Sequence, residues 1–175
     1  HTAVAILTDK EEIGSEGNTG LNSDFLRFLI RDLAVMQGGD GTVALRRSRC
    51  LSADVNAAMD PTFQSPFERR NAALLNYGVV LTKYTGARGK SSTNDASAEY
   101  VAEIRAMLDN AGIVWQTAEM GAVDAGGGGT VAMYIANLGA DVVDLGVPVL
   151  SMHAPFEVTA KNDVYMAYRA FYVFQ

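Results

Sequence analysis

The sequence is poor in the residues that would tie it to several classes of protein. It has a single cysteine, Cys50, which cannot form an internal disulfide, and this favours a reducing, cytoplasmic compartment over secretion. It contains no apolar run as long as a membrane-spanning helix and no recognisable signal peptide. It also lacks an excess of positive charge. The formal net charge of −6 argues against nucleic acids and anionic membrane surfaces as partners.

What the sequence does contain is the balance of an ordinary globular protein. Hydrophobic residues make up 49% of its 175 positions and charged residues 19%, a composition without a disordered signature. This length predicts one domain with a core of its own. The chain opens on His1 rather than methionine and enters an apolar run almost at once, so we expect a fragment or a processed product.

Apolar and polar stretches predict strands and helices that alternate along the chain. The predicted strands cover residues 2–8, 50–55, 78–84, 113–117, 141–145 and 149–152. The predicted helices cover residues 25–36, 98–109, 130–138 and 162–174. Residues 59–70 and 85–94 are predicted as loops, the first long enough to be a candidate functional loop. The alternation predicts an α/β protein whose largely parallel sheet is covered by helices on both faces.

Two of the predicted helices have further sequence markers. The residues 22–24 can cap the first helix, whose predicted apolar face consists of Phe25, Phe28, Leu29, Leu33 and Met36. Ser97 is the expected cap of the second helix.

Two adjacent carboxylates, Glu11 and Glu12, follow the first apolar run and precede a glycine-rich segment. In such a pair one carboxylate can bind a metal ion while its neighbour takes a proton from the metal-bound water. Adjacent glutamates are also common on solvated surfaces, and the residues alone leave both interpretations open. Because a predicted buried strand leads into the pair, we expect it to face a cleft and to be the centre of the chemistry.

Two further polar residues lie at the predicted ends of apolar strands. Asp54 follows the second strand, and His153, one of two histidines, follows the last strand. Open α/β sheets hold their sites at the carboxyl ends of strands. Taken singly, the aspartate could equally cap a turn and the histidine could be structural. Imidazole together with Glu12 and Asp54 would suit zinc or another borderline divalent ion.

Four consecutive glycines, Gly126–Gly129, stand between a predicted strand and a predicted helix. Such a run lets the backbone approach a ligand and directs helix-terminal N–H groups at an anion. Residues 127–132 also satisfy the loose dinucleotide pattern GxGxxA. The neighbouring Asp124 would repel a pyrophosphate. A non-catalytic module that binds a nucleotide or small anion on this loop is therefore the alternative function.

Five segments, taken together and in order, resemble a known family. They are residues 9–15 (DKEEIGS), 52–54 (SAD), 83–86 (KYTG), 124–130 (DAGGGGT) and 151–157 (SMHAPFE). In order and spacing they closely resemble the carboxyl-terminal part of the M18 metalloaminopeptidases, which include aspartyl aminopeptidase and aminopeptidase I. The bacterial branch is the most similar, and the resemblance spans essentially the whole chain.

This resemblance implies a dinuclear zinc aminopeptidase on a three-layer α/β/α, phosphorylase/hydrolase-like fold with a mostly parallel mixed sheet. Cobalt or manganese could replace the zinc. It implies that Glu11 is the general base, that Glu12 and His153 bind one metal ion, and that Asp54 binds the other. It further implies a set of substrate-contacting residues: Lys83, Asp124, Gly126 and Gly127.

The resemblance also implies parts that these residues do not supply. Members carry a metal-binding His and a bridging Asp before the Glu-Glu motif, with an inserted dimerisation domain between them, and His1 stands at the wrong distance to be that histidine. We therefore expect residues 1–175 to be the carboxyl-terminal part of a catalytic domain. The parent protein is expected to remove amino-terminal residues from peptides and to form homo-oligomers, dodecamers being common in the family. This chain alone is expected to be nearly inactive.

Overall fold

The computed structural model describes residues 1–122 and 124–175, and within them a five-stranded mixed sheet organises the chain. Its strands are β1 (Arg49–Ser52), β2 (Val55–Ala57), β3 (Val79–Thr82), β6 (Trp115–Thr117) and the long central strand β7 (Asp141–Val149). β1 and β2 both pair with β7 in parallel, β3 pairs with it antiparallel, and β6 runs parallel to β3. A separate antiparallel hairpin consists of β4 (Tyr84–Ala87) and β5 (Ser91–Asp95).

Helices cover both faces of this sheet. They are α1 (Phe25–Met36), α2 (Gly41–Arg46), α3 (Ala98–Asn110), α4 (Ala132–Asn137) and α5 (Lys161–Phe174). Successive side chains of a strand point to opposite faces. Val143 and Leu145 of β7 accordingly pack with α3 and α5, whereas Val142 packs with α1 and α4. The predicted three-layer α/β/α architecture is confirmed.

The larger core lies between the sheet and the layer of α3 and α5. Leu81, Leu108 and Leu145 are almost completely buried there, and each such side chain contributes about 1.5–3 kcal/mol. A buried carboxylate fastens this layer to the sheet. Asp163, in the first turn of α5, accepts hydrogen bonds of 2.8 Å from the backbone N–H groups of Asn76 and Gly78, just before β3.

The helix predictions are confirmed in position but not in every detail of burial. The Ser97 hydroxyl accepts a 3.2 Å hydrogen bond from the backbone N–H of Tyr100, as its predicted role as a cap requires. On α1 the buried residue is Leu26, whereas Phe25 is 63% and Met36 83% exposed. The predicted apolar face of α1 is therefore only partly covered within residues 1–122 and 124–175.

The predicted first strand over residues 2–8 is wrong. These residues lie on the surface without strand structure, and the first β-bridge of the described chain comes just after them, between Asp9 and Gly20. A strand requires a neighbour for its backbone N–H and C=O groups. An apolar composition indicates a buried strand but does not supply that neighbour.

Other boundaries differ for identifiable reasons. The predicted loop 85–94 is the β4–β5 hairpin, because Arg88 (φ 51°) and Gly89 (φ 70°) adopt the consecutive left-handed conformations of a tight hairpin turn. The strand predicted over residues 141–145 continues to Val149 as β7, and of the strand predicted over residues 149–152 only Val149 belongs to it, while Leu150 makes an isolated bridge with Val158. The strand predicted over residues 50–55 is interrupted at Asp54, which separates β1 from β2. The sheet is mixed and mostly parallel, as predicted, and its antiparallel pair is β3 with β7.

No helix in the described residues is both long enough and apolar enough to cross a membrane.

Candidate metal centre

The two candidate glutamates lie on a short 3-10 helix, Glu11–Ile13, rather than at the end of a strand. Residues with left-handed backbone conformations flank this turn: Lys10 (φ 59°), Gly14 (φ 92°) and Ser15 (φ 58°). Ser15 is buried, and its N–H donates to the carbonyl of Lys10 at 2.8 Å, which closes the turn. Strained conformations of this kind cluster at functional sites.

Glu12 and His153 face each other across the site. The Glu12 Oε2 atom lies 3.6 Å from the His153 Nδ1 atom, and both side chains are exposed. His153 is held on a turn after β7 in a left-handed conformation (φ 67°), and its backbone N–H donates to the Glu157 carboxylate. The structure thus brings together two residues 141 positions apart in the sequence, an acidic oxygen and an imidazole nitrogen.

Asp54 approaches the same site from the break between β1 and β2. Its Oδ1 accepts a 2.7 Å hydrogen bond from the N–H of Val55. Burial raises the pKa of Asp54, against the lowering effect of that hydrogen bond, and the charge of Glu12 raises it further. The nearby His153 acts in the opposite direction.

Glu11 belongs to the same electrostatic cluster. Burial is the largest cause that raises the pKa of Glu11, followed by the negative charges of Asp54 and Glu12. A carboxylate with a raised pKa accepts a proton more readily than an ordinary surface glutamate. This environment suits a general base.

The donor set fits a zinc ion in its chemistry, since carboxylate oxygen and imidazole nitrogen are both zinc ligands. Among the described residues, however, no three His, Cys, Asp or Glu side chains lie close enough together to hold a metal by themselves. Glu12 and His153 form a pair. Asp54 interacts with both through their charges but does not complete a group of three possible metal ligands. A metal ion bound by this pair would need further ligands.

Lys83 forms an ion pair within the chain. It stands between β3 and β4, where its ammonium group forms an ion pair with Asp95 at the end of β5. Both side chains are largely exposed. An exposed ion pair contributes about 0–1 kcal/mol, so Asp95 can release the lysine to another carboxylate at little cost.

The glycine loop packs on the β4–β5 hairpin. The carbonyl groups of Gly126 and Gly128 accept hydrogen bonds of 2.9 Å from the N–H groups of Arg88 and Gly86. At Gly127 (φ 92°) an added Cβ atom would lie 2.3 Å from the Gly86 oxygen. Close contact with the protein backbone is sufficient to explain why glycine stands at these positions, and the explanation needs no bound anion.

The helix after the glycine loop gives the nucleotide alternative no further support. α4 has only six residues, and the N–H of its first residue, Ala132, already donates to the Thr130 hydroxyl. Asp124, exposed and in a left-handed conformation (φ 69°), stands before the loop with its negative charge. The nucleotide-binding alternative is therefore not favoured.

The sequence offers Asp144 only as the acidic residue downstream of the loose dinucleotide pattern and does not assign it to the metal centre. This residue in the middle of β7 is 5% exposed, and burial raises its pKa to about 6. The hydroxyls of Ser52 and Thr130 lower this pKa, and the charge of Asp54 raises it. The signal for a special role is an acidic residue inside a nine-residue apolar strand. The alternation of side chains along a strand does not show which groups this residue faces.

Comparison with known proteins decides which family these features belong to. The family model described as "Aminopeptidase I zinc metalloprotease (M18)" matches residues 1–175. The chain belongs to the M18 family. The family model describes zinc metalloproteases, in agreement with the carboxylate and imidazole donors of the site.

Bacterial M18 proteins are among the similar relatives. A "Probable M18 family aminopeptidase 1" of Clostridium acetobutylicum is 48% identical over 168 residues, which cover 94% of this chain and 36% of the relative. The crystal structure of an M18 aminopeptidase from Thermotoga maritima superposes with a TM-score of 0.90 at 46% identity, covering 95% of this chain and 38% of that one. The chain thus spans little more than a third of the length of these M18 relatives.

A more distant structure shares the fold. The S. cerevisiae mApe1 dodecamer gives a TM-score of 0.78 at 23% identity, over 95% of this chain and 36% of that one. At this identity the similarity concerns the fold.

Proposed function

We propose that the protein containing this chain is a metal-dependent aminopeptidase that removes amino-terminal residues from peptides. The observation that carries the proposal is the convergence of Glu12 and His153 at 3.6 Å, beside Glu11 and Asp54, in a chain of the M18 family. The nucleotide-binding alternative has no comparable support, since the glycine loop is used for packing.

We assign four residues of the chain to the reaction. Glu12 and His153 would hold one metal ion, and Asp54 would be a ligand of the second. Zinc, or cobalt or manganese in its place, would supply a Lewis acid and lower the pKa of a bound water. Glu11 would take a proton from the attacking water, and its raised pKa supports this role.

We assign the substrate contacts to Lys83, Asp124 and the glycine loop. Lys83 can leave Asp95 to meet a carboxylate of the peptide. Asp124 offers a carboxylate for the free α-amine, and Gly126 and Gly127, which have no side chains, let the peptide backbone approach closely.

We propose that residues 1–175 are the carboxyl-terminal part of a catalytic domain and that the remainder of the parent completes the metal centre. The coverage of the relatives, 36–38%, supports this division. We further propose a cytoplasmic homo-oligomer. A dodecamer is described for the yeast protein of the same fold, and the lone, half-buried Cys50 suits a reducing compartment.

A substitution at Glu11 tests the assigned base. In the complete protein, Glu11→Gln should lower kcat by about 10²–10⁴-fold, the usual contribution of a general base, and leave zinc binding intact. Turnover of aminoacyl p-nitroanilides, together with zinc content by atomic absorption, measures both quantities. Glu16→Gln, an exposed position on the same segment, is the matched control.

Normal turnover in Glu11→Gln would contradict the assignment of Glu11 as the general base. The broader proposal is tested with a chelator: activity of the wild-type protein should disappear in EDTA and return with zinc. Persistent activity in EDTA, or an absence of peptidase activity in the zinc-loaded complete protein, would refute it.

A further inference from the structure

Asp144 is a buried charge that the proposed reaction leaves unexplained. Within the described part of the chain, neither of its carboxylate oxygens has a well-formed hydrogen bond, and no cation is paired with it; the Ser52 and Thr130 hydroxyls lie near it and offset its burial only in part. The Thr130 hydroxyl accepts from the N–H of Ala132 at 3.3 Å. A buried carboxylate without a paired cation and with only two nearby hydroxyls lowers the stability of a fold. A residue placed at such a cost is a candidate for function.

The position of Asp144 connects it to a proposed metal ligand. Ser52 is its register partner on β1, and Asp54 follows Ser52 two positions later in the chain. Two residues further along β7 lies Gly146, where an added Cβ atom would be only 1.5 Å from the carbonyl oxygen of Asp54. The Asp54 segment therefore rests directly on this part of β7.

The two carboxylates also interact through their charges, since Asp54 is one of the causes that disfavour ionised Asp144. Like charges in a poorly solvated environment repel each other with little screening by salt. A divalent cation bound at Asp54 would reverse the sign of this interaction, because both negative charges then attract the cation.

We propose that Asp144 is a positioning residue of the metal centre, whose buried negative charge behind the Asp54 segment strengthens the binding of a divalent cation. The inference rests on the proposed function, in which Asp54 is a metal ligand. Asp144 does not touch the ion. It acts through Asp54, as the groups that support metal ligands do, and their removal typically weakens metal affinity 10–100-fold.

The test uses the complete protein with Asp144→Asn, which removes the charge and keeps the shape. Zinc affinity is measured by competition with a chromophoric chelator, and the thermal midpoint is measured in EDTA. We expect zinc affinity to fall about 10-fold or more, with a midpoint in EDTA that is unchanged or higher, because a buried charge has been removed. Asp141→Asn, at the exposed start of the same strand, should match the wild type in both.

The possible outcomes separate this inference from the proposed function. Normal zinc affinity in Asp144→Asn, with normal binding by the wild type, overturns the inference alone. A wild-type protein that does not bind zinc overturns the proposed function as well. A midpoint in EDTA that falls together with zinc affinity identifies a structural residue and also overturns the inference. If Asp144→Asn does not fold, Asp144→Ser serves the same test, and failure of both to fold has the same meaning.

Discussion

At the scale of single residues, the candidate centre is a place where negative charge is concentrated without compensation. Glu11, Glu12 and Asp54 stand together. Burial and the charges of Asp54 and Glu12 raise the pKa of Glu11, and burial and the charge of Glu12 raise the pKa of Asp54. The imidazole of His153 opposes this effect, but it carries a positive charge only when protonated. A bound cation would relieve the repulsion, which explains why such a cluster is tolerated.

The raised pKa of Asp144 predicts how the stability of the metal-free protein depends on pH. In the folded state this pKa is about 6, against an ordinary value of 3.8. Above pH 6 the carboxylate is ionised in both states and burial disfavours folding. As the pH falls from 7 to 4.5 the folded state takes up the proton first, so the destabilising contribution is lost. Two titratable groups interact with it, Asp54 and Cys50. Asp54 is present in both the wild type and Asp144→Asn, and Cys50 stays neutral throughout because its pKa is about 11.

We therefore expect the free energy of unfolding of the wild type in EDTA to rise relative to Asp144→Asn, by roughly 1–3 kcal/mol between pH 7 and pH 4.5. Urea unfolding at a series of pH values measures the difference. Parallel curves for the two proteins, or a difference that grows in the opposite direction, would show that Asp144 is not desolvated in the folded protein.

At the scale of elements, the glycine loop and the β4–β5 hairpin act as one unit. The loop donates no side chains to the contact; instead its carbonyl groups accept from the hairpin backbone. Gly129 comes so close to the hairpin that an added Cβ atom would lie 2.3 Å from the Cβ of Ser92. The substrate-contacting residues proposed on this loop are consequently positioned by the hairpin.

The close contact predicts different costs for two glycines that share a left-handed conformation. Gly127→Ala should lower the free energy of unfolding by roughly 2–4 kcal/mol, because it combines backbone strain with a collision against the Gly86 carbonyl. Gly38 (φ 74°) has nothing within 4 Å of its added Cβ atom, so Gly38→Ala should cost only the strain, about 1–2 kcal/mol. Equal losses in urea unfolding would mean that the loop does not pack on the hairpin.

At the scale of the whole molecule, the two sides of the sheet are unequally covered. The α3 and α5 layer encloses a continuous core, whereas the amino-terminal segment and α1 expose large apolar side chains, including Leu7 (98%) and Met36 (83%). Exposed apolar patches mark sites of association. This surface is where we expect further polypeptide to pack.

The 175-residue chain produced by itself should therefore self-associate. Sedimentation velocity should show larger species as concentration rises, and Met36→Asp should shift the distribution towards the monomer. Gln37→Asp places the same charge at the next, polar position and should have little effect. A monomeric wild-type chain over the whole concentration range would show that this surface does not drive association.

Much of the fold followed from local patterns in the sequence. The apolar periodicity of α1, the Ser97 cap of α3 and the alternation of strands with helices were sufficient to predict a three-layer α/β/α protein. Local patterns could not predict which strands would find partners. They suggested a strand over residues 2–8 that has none, and a loop over residues 85–94 that is a hairpin.

The candidate residues of the site were likewise present in the sequence, and their order led to the family before any geometry was known. The family resemblance implied that Glu12 and His153 share one metal ion, but the distance between them, the electrostatic environment of Asp54 and the burial of Asp144 came only from the tertiary structure. Residue type determines which chemistry a side chain can perform. Solvent exposure and neighbouring charge, which determine its pKa and its partners, depend on chain segments that are far apart in the sequence.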